Sequence, residues 1–270
     1  MKKISFSRKH LGIPYALFLV MFVIFPLLLI VFYAFTDANG TITFINFVNF
    51  FKSNANLTAL FISLGLALCT TIICILLAYP VAYFLAKSNA NKSSVLLLLF
   101  ILPMWINFVL RTAAMKELLF AIGFIQNNKL SFLNTIIGMV YDYLPFAILP
   151  IYTVLSKMDK NLVEASKDLG ASPIKAFFDV TVPLSKPGII SAITMIFLPT
   201  MTSYVISDTL GNGNITIIGK LIENQFSSVF NWNMGSAIAL ILLVFIFATM
   251  IFSGKFTDKE EINARGNGLW

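Results

Sequence analysis

Few side chains in this sequence could do chemistry, and the first of them are acids set in or beside apolar runs. Asp142 lies between Tyr141 and Tyr143 inside a long apolar segment, and Asp208 follows Tyr204 by about one helical turn at the outer end of another. A carboxylate inside a membrane is costly unless it faces a cavity or a partner, and beside aromatic faces it can hold a cation without trapping it. Asp142 is therefore a candidate for lining a pathway or for serving as a proton or sodium site, with structural pairing or interfacial exposure as the alternatives. Trp105 could line the same path, or belong to an interfacial aromatic belt or a core. Glu117 and Glu223 have Arg111, Lys116 and Lys220 nearby in sequence, a pattern that favours surface ion pairs.

Other chemistries find no support. His10 is the one histidine, too isolated for a metal site or a nucleophile relay, and a solvated or headgroup-facing position suits it. Cys69 and Cys74 are five positions apart in one apolar run and so on different helix faces; a buried, reduced packing role fits them better than a disulfide or metal site. No catalytic residue is assigned. A phosphate-cradling loop needs GxxxxGK[ST], and its nearest lookalikes, Gly219-Lys220 and Gly254-Lys255, lack both the first glycine and the following hydroxyl residue. The net charge of +7 comes without a basic stripe interleaved with aromatics, which argues against nucleic acid as a partner.

The elements that must position these residues are transmembrane helices. With 58% hydrophobic and 11% charged residues and a mean hydropathy of +0.87, the composition is that of a membrane protein. A helix crossing about 30 Å of hydrocarbon needs about 20 mostly apolar residues. Six candidate spans meet or approach this: Gly12 to Phe35, Ala59 to Ala86, Ser94 to Leu110, Thr135 to Ser156, Gly188 to Ser207 and Met234 to Ser253. Their continuity favours helices over a barrel. The N-terminus starts like a signal peptide but lacks a convincing cleavage site, so it is expected to remain as the first helix.

Lys and Arg set the orientation. With the N-terminus inside, the cytoplasmic face takes Lys2 to Lys9, Lys87, Lys92, the lysines from Lys157 to Lys186, and Lys255, Lys259 and Arg265. Lys52, Arg111, Lys116, Lys129 and Lys220 remain outside. Both termini are then cytoplasmic, while Thr36 to Thr58, Asp208 to Asn233 and the connection from Leu110 toward Asn134 face outward. Pro80, Pro103, Pro145, Pro150 and Pro199 could bend helices around a cavity or be ordinary packing kinks. No strong repeat or linker divides the chain, so residues 1–270 are expected to form a single transmembrane domain.

One polar insert, about 157–187, interrupts the apolar pattern on the inner side. Asn161 followed by Glu164 resembles a capping box, Leu162, Ala165 and Leu169 keep helical spacing, and Gly170 suits the position just past a helix end. Ser172 and Pro173 supply an N-cap and first-turn proline for a second helix carrying Ile174, Phe177 and Phe178, with Pro183 and Pro187 expected to stop it. Ala165 and Gly170 leave room for a partner, with Lys167, Asp168, Lys175 and Asp179 as its polar rim. The local alternative is an amphipathic pair lying on the bilayer.

Glu164, Ala165, Gly170, Val180 and Pro183 fall on the spacing of the EAA loop of ABC importer permeases, with Ser166 where alanine is usual and Val180 and Val182 where isoleucine and leucine are usual. The surrounding string YLPFAILPIYTVLSKMDKNLVEASKDLGASPIKAFFDVTVPLSKPGII, with LPTMTSYVISDTLGNG, ILPMWINFVLRTAAMKELL and LAYPVAYFLAK, resembles the PotB-type branch of spermidine/putrescine permeases in the MetI-like superfamily, over most of the chain from Leu57 onward. The resemblance implies an all-α membrane protein of the type I importer permease fold, without ATPase activity of its own. It implies that Glu164, Ala165, Ser166, Gly170, Phe177 and Pro183 couple to an ATPase, and that Trp105, Asp142, Tyr204 and Asp208 are the residues to test for a substrate pathway. The implied partners are a second, PotC-type permease, a PotA-type ATPase homodimer that carries ATP and Mg2+, a PotD-type solute-binding protein, polyamine and the lipid bilayer. No cofactor or metal is expected on this chain. An importer permease for another solute such as ferric iron, or an ion-coupled secondary transporter using Asp142, are the competing readings.

Overall fold

The computed structural model describes residues 8–266, with side chains described at residue 12 and over 14–89 and 93–251. The described residues are helical, with one isolated antiparallel bridge between Thr36 and Ile42. Among the described residues, five helices are long and apolar enough to cross a membrane, and a bent pair makes a sixth crossing if its two arms form one span. His10 and Lys92 lie outside the described side chains.

Contacts divide the chain into two compact units. The first comprises residues 1–57 and 221–244. Its α1 (Pro14–Ala34) shows no buried side chain across its apolar window, so its surface is left for lipid or a partner. Beyond α1, the Asn46 amide, on the short α2 (Ile45–Lys52), donates to the carbonyl oxygens of Ala34 and Thr36 at 3.0 and 2.9 Å. Asn233 donates to the same Thr36 carbonyl at 2.7 Å. Two amides thus pin the chain where it leaves α1. Within that turn, Asp37 accepts from the Asn39 and Thr41 amides and the Thr41 hydroxyl. These bonds, the Thr41 amide first, hold its carboxyl below the usual aspartate range.

The second unit, residues 58–220 and 245–270, holds the candidate sites. Its main helices are α3 (Asn54–Lys87), α4 (Ala90–Ile101), α5 (Phe108–Ala121), α6 (Ser131–Ser156), α7 (Lys160–Asp168), α8 (Pro173–Thr202) and α9 (Tyr204–Leu210). They are followed by α10 (Ile218–Ser227) and α11 (Trp232–Gly266). Small residues let α3, α6 and α8 approach closely: Cys74, Ala78 and Ala82 meet Ala147, Ile148 and Ile151, with Ala192 and Ile196 closing the layer. A second cluster joins Leu66, Leu119, Met139, Ile206, Leu210 and Ile217. Cys74 is buried, Cys69 is half-buried, and both are free thiols.

Two expectations need correction. The third span is not one helix from Ser94 to Leu110: after a 3-10 turn over Leu102–Trp105 the chain bends by 93° and restarts as α5 at Phe108. Asn107 caps that restart, its side chain accepting from the Val109 amide at 2.9 Å. The connections expected to face outward, Thr36 to Thr58 and Asp208 to Asn233, carry the short helices α2 and α10.

Pro183 and Pro187 do not stop a helix. The chain runs from Pro173 to Thr202 as one candidate span, through a π turn over Phe177–Thr181 in which the Val182 amide reaches back to the Phe177 carbonyl. Proline follows at once. In α1 the π turn Val20–Ile24 is likewise followed by Phe25 and Pro26. The wide turn accommodates a residue that cannot donate and whose ring would crowd the preceding turn.

Candidate functional site: an inner coupling surface and a cavity at two broken helices

The inner insert folds as two short arms meeting at Gly170. α7 starts at Asp159, whose carboxylate accepts from the Asn161 amide at 3.0 Å, so the cap is Asp159 and not Asn161. Helix ends shift by such steps because several neighbouring polar residues can cap. The far end is closed by the Gly170 amide bonding to Lys167 and the Ala171 amide to Ser166, with Gly170 at a φ of +89°. That is a Schellman ending, and its left-handed residue is favoured as glycine. Ser172 then caps α8, its hydroxyl accepting from the Lys175 amide at 3.3 Å, with Pro173 in the first turn.

Glu164, Ala165 and Gly170 are exposed and Ser166 is half-buried. Ala165, Ser166 and Gly170 share a groove of about 480 Å³ with Leu162, Lys175, Asp179 and Val180. Leu169 and Ile174 stand out at 90% and 72% exposure, an apolar surface that nothing among the described residues covers. Phe177 is different. Its ring packs edge-on against Tyr79 and Tyr83 of α3, at 5.8 and 5.1 Å, and so fixes the insert to the bundle. Tyr79 also exchanges a 2.8 Å hydrogen bond with Ser185. Pro183 is half-buried just beyond the π turn.

A second feature gathers where two helices break. α8 ends at Thr202, and Ser203 interrupts it with a φ of −74° and ψ of 61° before α9 begins. Around that break, Phe108, Tyr143, Thr202, Ser203, Tyr204 and Val205 line a cavity of about 250 Å³. The Tyr143 and Ser203 hydroxyls are hydrogen-bonded to one another, and Ser203 also lies 2.8 Å from the Pro199 carbonyl. Discontinuous helices expose backbone polar groups inside a membrane only where they are buried in protein or line a cavity.

Of the acids, Asp208 is half exposed, and Lys220 lies 3.3 Å from it and 5.6 Å from the Tyr204 ring centre. Asp142, the chain neighbour of the cavity-lining Tyr143, is buried. Arg111 Nη2 is 2.9 Å from its Oδ1, and the Thr112 hydroxyl is 3.2 Å from its Oδ2. The arginine contact is poorly aligned for a hydrogen bond and so chiefly Coulombic. Arg111 therefore pairs with Asp142 and not with Glu117, as the sequence suggested. Tyr204 lines the cavity; Trp105, 81% exposed, does not. Sequence reasoning missed Tyr143 and Ser203, although a serine following Pro199 in an apolar run is a usable signal for a break. Among the described residues, no group of acids, histidines and cysteines could hold a metal.

Residues 78–257 match the family model described as binding-protein-dependent transport system inner membrane component. The chain is 35% identical over 253 residues to the spermidine/putrescine transport system permease protein PotB of Haemophilus influenzae, covering 87% of this chain and 88% of that one. It is 33% identical over 271 residues to the protein of the same description in Salmonella typhimurium, covering 90% and 94%. A PotB homolog of Mycoplasma pneumoniae is 33% identical over 184 residues, 63% of this chain and 64% of the relative. The fold matches a chain in the crystal structure of a bacterial alginate ABC transporter complexed with an alginate pentasaccharide-bound periplasmic protein, with a TM-score of 0.75, 14% identity and 93% coverage of both chains.

Proposed function

The chain belongs to the family of inner membrane components of binding-protein-dependent transport systems, and on that premise we propose that it is the permease subunit of an ATP-driven importer of polyamines, spermidine and putrescine. The observation that carries this reading is the 35% identity over 253 residues to a spermidine/putrescine permease, extending over nearly all of both chains. A lone permease has a single set of broken helices, so we infer that a second, PotC-type permease completes the pathway. A PotA-type ATPase homodimer supplies ATP hydrolysis with its Mg2+, and a PotD-type binding protein delivers the solute. The chain itself carries no cofactor.

In this reading the groove at Ala165, Ser166 and Gly170, with exposed Glu164 and the apolar tips Leu169 and Ile174, receives the ATPase, while Phe177 and Pro183 carry the motion into α3 and α8. The inner face takes the insert and both termini, a reading that the lysine distribution supports. The cavity at Ser203 and Tyr204 lies on the solute's route, and Asp208 with the Tyr204 face forms a cation-attracting mouth. The pairing of Asp142 with Arg111 supports a structural or electrostatic role for that acid rather than an open ion-coupling site.

Reconstituting the complete complex in vesicles tests the assignment. Uptake of labelled spermidine and putrescine should require ATP, persist without an ion gradient, and yield to competing polyamines but not to ferric iron. Gradient-driven uptake without ATP would reverse the assignment to a secondary transporter.

A further inference from the structure

Arg111 is a permanent charge held next to the proposed pathway. It is 8% exposed, sits one turn beyond Phe108 on α5, and faces Asp142, the neighbour of Tyr143 on α6; Phe108 and Tyr143 both line the cavity at the α8 break. Its Nε and Nη1 meet no acceptor, so Asp142 supplies the principal compensation, with the Tyr141 ring 5.8 Å away as a weaker one. Guanidinium does not lose its proton in proteins, and a charge at this depth is poorly screened by salt. An uncompensated Arg111 would oppose any cation entering the cavity, more strongly the higher the cation's charge.

We propose that Asp142 is a specificity-determining residue that cancels the charge of Arg111 beside the cavity, so that a polycation can pass. This rests on the polyamine reading above. The pair is asymmetric in a way that distinguishes cancellation from a simple clamp between α5 and α6. Without Asp142, Arg111 stays charged and repels. Without Arg111, Asp142 carries no positive charge in either protonation state, so it does not block a cation.

The test uses the complete complex in vesicles, comparing trivalent spermidine with divalent putrescine and normalising uptake to assembled complex. Asp142→Asn should lower spermidine uptake by about tenfold or more and putrescine uptake by clearly less, as expected for repulsion proportional to charge. Arg111→Gln, and Arg111→Gln combined with Asp142→Asn, should transport both at close to the unmodified level. Equal losses for the two solutes in Asp142→Asn, or loss of transport in either variant lacking Arg111, would overturn cancellation in favour of a clamp. Should Asp142→Asn yield no assembled complex, the two variants lacking Arg111 decide by the same criteria. Absence of polyamine uptake by the unmodified complex would overturn the underlying assignment itself, whereas uptake by that complex with no charge-dependent loss overturns cancellation alone.

Discussion

Gly188 of α8 lies so close to Pro150 of α6 that a β-carbon at position 188 would fall 2.9 Å from the Pro150 carbonyl oxygen and 3.1 Å from Ile151 Cα. The obstacle is backbone, which cannot swing aside as a side chain can. Two helices that each carry internal prolines thus meet at a glycine, where close approach supplies the dispersion contact that drives helix association in lipid.

Gly188→Val should therefore push α8 from α6 and destabilise the bundle by about 1–3 kcal/mol, the usual cost of overpacking a tight contact. Thermal unfolding of the purified complex in detergent checks this, with Gly12→Ala, where a β-carbon meets nothing within 4 Å, as the control. A Gly188→Val complex as stable as the control would show that the helices can part at little cost.

At Gly170 a β-carbon meets nothing within 4 Å, so any effect of substitution comes from the φ of +89° and from a partner. Gly170→Ala should cost about 1 kcal/mol through the left-handed backbone alone. Gly170→Asp adds charge to the groove shared with Ala165 and Ser166, and should reduce capture of the ATPase and ATP-driven uptake well beyond Gly170→Ala while membrane insertion stays normal. Normal ATPase pull-down and uptake with Gly170→Asp would remove the main support for docking here.

Topology can be read with thiol reporters, since both native cysteines can be replaced. In a background lacking Cys69 and Cys74, a cysteine at Lys175 should resist an impermeant reagent in intact cells and react once the inner face is opened. One at Asn212, in the turn after α9, should react from outside. Labelling of both from outside would refute the six-crossing arrangement.

Asp37 gives a pH signature. Its carboxyl is held below the ordinary value of 3.8, most of all by the Thr41 amide. A depressed carboxylate stabilises the turn fully above its ordinary value, and that contribution fades as pH falls through the lowered value. Hydrogen exchange at the Asn39 and Thr41 amides should therefore stay protected at neutral pH and lose protection, relative to the change in intrinsic rate, only in acid. In Asp37→Asn, which keeps an acceptor but no charge, protection should be weaker at neutral pH and independent of acidification; an unchanged acid response would assign the effect elsewhere.

The sequence was most legible where a residue's role depends on its chain neighbours. Apolar runs located the five long candidate spans but not the bend in the third segment, and Ser172, Pro173 and Gly170 occupy the capping positions their types suggest. Proline was less reliable, because whether Pro183 ends a helix depends on the preceding turn being able to widen. Pairing across helices was not legible: Arg111 has Glu117 nearby in sequence, yet it forms an ion pair with an acid from another helix. Ser203, at the break, hydrogen-bonds to Tyr143, a residue from a different span.

Asp208 offers the sharpest test of the pathway's mouth. Its carboxylate is half exposed and pairs with the ammonium of Lys220, which also lies over Tyr204, an arrangement that a substrate's primary ammonium could adopt in its place. Partial exposure keeps such a pair weak, about 0–1 kcal/mol, which lets a substrate ammonium compete and then leave. Asp208→Asn preserves size and most hydrogen bonding while deleting the charge, and should lower polyamine uptake per assembled complex by about fivefold, on the scale of one exposed pair. Assembly and ATPase docking should not change. If Asp208 instead serves to hold Lys220 and the turn after α9 in place, the same variant should assemble poorly, and the surviving complexes should transport normally. Uptake measured against complex recovered from the membrane separates the two, and normal uptake per complex would rule out an essential role for this charge.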